Sequence, residues 1–189
     1  MRSFLNRVSA RKDSLVGTEG VALLEFAITL PLLLVMVVGV FDFGAAFNLR
    51  QKLDNITREA ARFGSSLPTN DLNSAGTPPS VAAIRDLVDS YLKAEKIDDC
   101  GLGTSAAGGS LVWTYTGSCP SGTLTLVIDR GNGSFPSAVG VDTIYVISTH
   151  VTIQYPYKWQ FDRVIGLLVP GATYGNTMIT TDAVLANQD

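Results

Sequence analysis

Residues 21–41 are apolar except for Glu25, Thr29, Pro31 and Gly39. An α-helix rises 1.5 Å per residue, so about twenty such residues reach roughly 30 Å, the thickness of a bilayer's hydrocarbon core. The helix is predicted to continue beyond this run. Leu49, Leu53, Ile56, Ala60 and Phe63 recur at spacings of three and four, which puts one apolar stripe on an amphipathic helix. Asp54 and Arg58 fall on its wet side as i,i+4 partners. Gly64-Ser65-Ser66-Leu67-Pro68 ends it, with Gly64 in the C-cap position and Pro68 soon after. One helix of about 43 residues, roughly 65 Å long, is expected. Pro31 removes a hydrogen bond inside it, so a kink is expected there.

The rest of the chain changes period. Residues 69–79 are a Pro/Asn/Gly/Ser linker, and Ser80 is placed to cap a second helix. In that helix Val81, Ile84, Leu87, Val88, Tyr91 and Leu92 form a 3.6-residue stripe. Residues 98–110 read as a Gly-rich loop. Residues 111–116 and 123–129 read as a hairpin around a turn at 117–122. Residues 143–155 alternate, with Tyr145, Ile147, Val151, Ile153 and Tyr155 on one face and Ser148, His150, Thr152 and Gln154 on the other. Residues 172–185 are a Thr-rich last strand, preceded by an apolar stretch at 164–169. The expected fold is α+β. A long N-terminal transmembrane helix precedes a small extracytoplasmic domain with one helix and an antiparallel sheet of about four strands. The segments are a basic leader at 1–20, the helix at 21–65 and the α+β domain at 66–189.

With 189 residues and a net charge of −3, the chain suits one domain plus an N-terminal segment and offers nothing that favours nucleic acid. Arg2, Arg7, Arg11 and Lys12 concentrate positive charge in the leader. A cleavable secretory signal has a shorter apolar core, roughly 7–15 residues, followed by a small-residue site. The run here is longer, and Gly44, Ala45 and Ala46 lead into a helical pattern. A membrane span is therefore favoured over secretory cleavage near Ala46. Four basic residues precede the span and four follow it, namely Arg50, Lys52, Arg58 and Arg62, so the positive-inside rule gives no orientation. The cysteines do. Cys100 and Cys119 are an even pair in a Gly/Ser-rich region, as expected of a disulfide in an oxidising compartment. Closing a loop of about 20 residues would stabilise by roughly 3 kcal/mol. Two unpaired core thiols are the alternative.

Glu25 is the one charge in the apolar run. A carboxylate at a helix centre in the bilayer costs roughly 2.5–3.5 kcal/mol on the insertion scale, and less near the interface. A helix N-terminal acid at the lipid interface is the plain alternative. Gly20, just before the span, has no Cβ and leaves the backbone unhindered for a membrane protease. After a cut between Gly20 and Val21, Glu25 of one subunit could pair with the new α-amino group of a neighbour, which lowers the cost of burying both charges. Arg58, Glu59 and Arg62 are either a solvated face or a charged contact between subunits. His150, alone on a polar strand face, reads as structural. Asp129-Arg130-Gly131-Asn132-Gly133 lacks the spacing and terminal Glu of a calcium loop. Two cysteines and one histidine are too few for structural zinc. No catalytic triad, P-loop, dinucleotide fingerprint or metal cluster is present in the sequence, so no cofactor is expected.

Four stretches in order resemble the TadE-like family. They are Glu25-Phe26, Leu30-Pro31-Leu32-Leu33-Leu34, Gly39-Val40-Phe41-Asp42-Phe43-Gly44 and Thr57-Arg58-Glu59-Ala60-Ala61-Arg62-Phe63. The Gly20 junction with Glu25 at the fifth mature position also resembles the class III signals of type IV-like pilins. The resemblance is strong over residues 17–65 and weak over 143–185. It implies a minor pilin or pseudopilin of the tight-adherence (Tad/Flp) pilus, with a pilin-like helix and no enzymatic role. It further implies a processing site at Gly20, Val21, Glu25 and Phe26, cut by a prepilin peptidase on the cytoplasmic side. Glu25, Arg58, Glu59 and Arg62 are the assembly residues. The implied partners are the peptidase, other Tad pilins and the inner membrane, with the C-terminal domain periplasmic or extracellular, and the implied roles are adhesion, biofilm formation or secretion. A TadG-like relative would carry a longer extracytoplasmic region. An uncleaved, signal-anchored periplasmic binding or sensory domain is the second reading. It predicts tolerance of Glu25→Leu.

Overall fold

The structure is a computed structural model that describes residues 19–73, 76–104, 106–136, 143–160 and 175–188. The apolar stretch at 164–169 and the leader up to residue 18 lie outside them. The described residues fall into two units. One holds α1 (Glu19–Ser65) up to Phe43. The other holds the remainder of α1 and everything that follows it up to Trp159, together with the last strand. The α+β class is as expected from the sequence: a long apolar N-terminal helix, a second helix α2 (Pro79–Ala94) and an antiparallel sheet. α1 runs through Pro31 as a single helix of 47 residues.

In the second unit both helices cover one face of the sheet. Leu53, Ile56, Ala60 and Ala61 of α1 and Val81, Ile84, Val88 and Leu92 of α2 are buried, as their periodicity predicts. The sheet supplies Trp113 and Tyr115 from β2 (Val112–Cys119), Leu124, Leu126 and Ile128 from β3 (Gly122–Asp129), and Val151 and Ile153 from β5 (Thr143–Tyr157). Register keeps these on one face: Trp113 pairs with Ile128, Tyr115 with Leu126, and Leu126 with Ile153. The opposite face carries Thr114, Thr125, His150, Thr152, Gln154 and, on β6 (Thr177–Ala186), Thr180 and Asp182. Two short strands, β1 (Ala107–Gly109) and β4 (Asn132–Pro136), extend the four expected ones. β4 continues β3 along the same flank of β5, since Asp129 pairs with His150 and Asn132 with Ile147 in one unbroken register. β6 pairs along the other flank.

Several local expectations change. The β2–β3 turn shrinks to Pro120-Ser121, because Ser118 pairs with Thr123 and Cys119 with Gly122. Gly117 lies within β2, where a Cβ would stand 2.9 Å from the Cys100 carbonyl oxygen, so only glycine lets the 98–103 loop lie against this strand. The Ser118 N–H donates to that same carbonyl at 2.7 Å, and a disulfide joins Cys100 to Cys119 across Cα atoms 4.6 Å apart. Ser80 lies inside α2 rather than capping it. The Asp71 carboxylate takes that role, accepting from the Ser80 N–H at 2.8 Å and its hydroxyl at 3.0 Å. Ile147 is exposed while Ser148 is buried, with its N–H donating to the Gly131 carbonyl, which departs from the simple alternation.

The end of α1 differs most. Gly64 is not a left-handed cap. It is a point of close approach, where a Cβ would stand 2.5 Å from Thr149 Cγ2 on β5 and 2.8 Å from Ile84 Cδ1 on α2. The last carbonyls are satisfied by a side chain of the helix's own last residue and by segments beyond it. Ser65 Oγ donates to the Arg62 carbonyl, Ser66 N–H and Oγ to Phe63, and the Gln188 N–H to Ser65. Arg130, fully buried between β3 and β4, donates to the carbonyls of Gly64 at 3.1 Å, Leu67 at 3.0 Å and Pro68 at 3.2 Å. A helix C-terminus carries about half a negative charge, so a guanidinium there gains both hydrogen bonds and dipole attraction.

Arg130→Met, which retains an apolar stem, should destabilise the folded unit by about 3 kcal/mol, the scale of losing charged hydrogen bonds and leaving carbonyls unmet. Denaturant unfolding of the full chain in detergent would show the midpoint falling. Replacing both cysteines with serine should cost about 3 kcal/mol through loop-closure entropy. The same assay, with and without reductant, checks it, and only the native protein should respond to reductant.

Candidate functional site

Gly20, Val21, Glu25 and Phe26, the residues expected at a processing site, sit in the opening turns of α1. Gly20 is helical and exposed, and a Cβ there would meet nothing within 4 Å. The first four N–H groups of a helix have no intrahelical partner, so this turn can unwind at little cost and present an extended bond between Gly20 and Val21. Val21 and Phe26 are 54 % and 62 % exposed. Glu25 is exposed as well, and among the described residues no side chain pairs with its carboxylate. Its backbone carbonyl accepts from Thr29 Oγ1 at 2.7 Å.

From Gly20 onward the helix has an 18-residue window with a mean hydropathy of 2.6, none of it buried within the protein. Leu23, Leu32, Met36, Val40 and Phe41 all face outward. A helix apolar on every side and unburied is long and apolar enough to cross a membrane. Asp42 is buried, whereas its neighbours Phe41 and Phe43 are exposed.

In the second unit, Arg58, Glu59 and Arg62 lie together on the exposed side of α1. Arg58 reaches Asp54 at 2.8 Å and Arg62 reaches Glu59 at 3.8 Å, with both arginines more than two-thirds exposed. Such pairs contribute about 0.3–0.5 kcal/mol, so they do little for the fold and leave a charged surface in water. Glu25 belongs to the first unit and this face to the second.

A groove of about 330 Å³ opens beside the start of this stretch, lined by Ala45, Asn48, Leu49 and Lys52 of α1, the 95–98 turn after α2, and Tyr155 of β5. Lys52 Nζ lies 3.2 Å from a Glu95 carboxylate oxygen. Burial, with the Asp98 charge adding to it, holds the Tyr155 phenol above its usual pKa. Nearby, hydrogen bonds to Asp89 and Asp99 raise the Lys93 pKa, and the Gly101 N–H is the main cause of a lowered Asp99. Among the described residues no three His, Cys, Asp or Glu side chains converge to hold a metal. The Asp129 carboxylate, part of the loop compared with calcium sites, instead accepts from the Gly131 N–H at 2.8 Å. His150 lies on the open sheet face, 3.7 Å from Asp182.

Sequence reasoning missed Arg130, Asp71 and this groove. Arg130 and the groove join segments far apart in the chain, Asp71 caps α2 from the preceding linker, and none carries a local pattern that marks it.

Residues 20–62 match the family model described as TadE-like protein. No curated protein and no solved structure matches the chain. The matched residues hold Gly20, Glu25, the apolar run and the Arg58–Glu59–Arg62 face, so the likeness to the TadE-like family rests on residues 20–62.

Proposed function

We propose that the chain is a minor pilin or pseudopilin of the tight-adherence pilus, made as a membrane-anchored precursor and cut between Gly20 and Val21. One observation carries this reading. Within the segment that matches the TadE-like model, a glycine in the first turn of α1 precedes a run that is apolar on all sides, whose one charge is an exposed carboxylate five residues on. The basic leader stays in the cytoplasm, where a prepilin peptidase removes it. The domain after α1 lies outside the inner membrane, in the compartment that allows the Cys100–Cys119 disulfide.

The chemistry of assembly follows from the cut. Hydrolysis converts the Gly20–Val21 amide into a free α-amino group on Val21. In a helical array that ammonium meets the Glu25 carboxylate of a neighbouring subunit. Neither charge is affordable alone in an apolar setting, and together they are tolerated. The pair would fix the axial offset between adjacent helices. Arg58, Glu59 and Arg62 would add a second, water-exposed contact to other pilus components. The role in adhesion, biofilm formation or secretion follows from the pilus itself.

Expression in the native host separates the two steps. Gly20→Ala should accumulate a precursor about twenty residues longer than the wild-type product, seen by intact mass of the membrane fraction. Glu25→Leu should be processed normally yet fail to co-purify with pilus components. Full function of Glu25→Leu with an intact N-terminus would instead support an uncleaved anchored domain.

A further inference from the structure

In the folded unit α1 and β5 run alongside each other in opposite directions. Near one end Thr149 lies against Gly64. Near the other Tyr155 lines the groove with Ala45, Asn48 and Leu49. From Gly64 back to Asn48 is about sixteen residues of helix, about 24 Å. From Thr149 to Tyr155 is about six residues of strand, about 20 Å. The two measures agree, so position along β5 can be read against position along α1. Two residues more bring β5 to Tyr157, about 7 Å further on and about 26 Å from Thr149, which is level with about Ala46 on the helix. Ala46 comes soon after the apolar run, which ends at Phe41.

The residues at this end of β5 have a distinct chemistry. Tyr157 and Trp159 pack edge to face, with ring centroids 5.1 Å apart. Trp159 Nε1 donates to Thr177 Oγ1 at 2.7 Å, which fixes the indole against the start of β6. Lys158 between them is exposed, as are Lys96 at the groove and Met178 next to Thr177. Tyr and Trp have an apolar body and a polar tip, and they concentrate where a bilayer meets water. Lysines beside them suit lipid phosphates. A buried core would have no use for the lysines, and a fully wet hairpin end would have no use for the aromatic pair.

We propose that this end of the folded unit, at Tyr157, Lys158 and Trp159, rests in the lipid headgroup layer of the membrane that α1 crosses. The proposal depends on the membrane-spanning reading of α1. The headgroup region adds about 5–8 Å on each side of the hydrocarbon core, or about four or five residues of helix, so chain continuity from Phe41 places Asp42 to Ala46 in it. Tyr157 is level with the last of those residues. The contact would give the domain two supports on the bilayer, α1 and the end of the β5–β6 pair. It would set the domain's orientation before any partner binds.

The test uses the full-length protein in phosphatidylcholine–phosphatidylglycerol vesicles whose acyl chains carry bromine either near the headgroup or near the chain end. Trp113 is buried in the core, so the difference between the native protein and Trp159→Phe isolates the emission of Trp159. Trp159→Tyr serves for the same subtraction if the Phe variant folds poorly. Shallow bromine should cause a marked loss of Trp159 emission, and deep bromine little. A Met36→Trp reporter in the Trp159→Phe background should respond to deep bromine. Quenching of that reporter without quenching of Trp159 would overturn the interfacial contact and leave the span intact. Quenching of neither would overturn both.

Discussion

The guanidinium of Arg130 closes the last turn of α1 and ties it to the sheet. α1 has to serve as a membrane-type helix over its first half and as a core element over its second. Its core half has only a narrow apolar stripe, Leu53, Ile56, Ala60 and Ala61, to hold it on the sheet. Three carbonyls beyond that stripe converge on one buried cation, and Gly64 lets the helix come within van der Waals reach of Thr149 and Ile84. Lower down, the Thr57 and Thr181 hydroxyls meet at 2.8 Å and hold α1 over β6. Without the Arg130 contact the helix end would leave its carbonyls poorly met in a region that β5 and α2 keep dry.

That fixed end gives the exposed residues of α1 their meaning. The side that does not face the sheet carries Arg58, Glu59 and Arg62, in pairs too weak and too wet to be there for stability. The apolar run at 21–41 carries one charge, Glu25. A charge there is costly unless a partner arrives, and none of the described residues supplies one. Both features lie within the residues that match the TadE-like family model.

Much of the architecture was legible because it follows local periodicity. Spacings of three and four picked out Leu53, Ile56 and Ala60, and Val81, Ile84, Val88 and Leu92, all buried. Alternation picked out Val151 and Ile153 on the covered face and His150 and Thr152 on the open one. What stayed hidden depends on tertiary neighbours. Arg130 sits in an Asp-Arg-Gly-Asn-Gly stretch that reads as a polar turn, and only the end of α1, over sixty residues earlier, makes it a buried cation. Gly64 looks like a helix stop because nothing local shows that Thr149 lies against it. Gly117 looks like a turn residue for the same reason, since the Cys100 carbonyl that excludes a side chain comes from another loop. Of the candidate site, the junction and the charged face could be named from sequence, while the groove at Ala45–Lys52 could not, because its walls come from three separate elements.

The account turns on whether Val21 becomes the first residue of the mature chain. N-terminal sequencing, with intact mass, of the unmodified protein isolated from its native membrane tests this directly. The account predicts a product that begins at Val21 and lacks residues 1–20. A protein that keeps its leader, or that begins elsewhere, would contradict it, because Glu25 would then have no new α-amino group to meet.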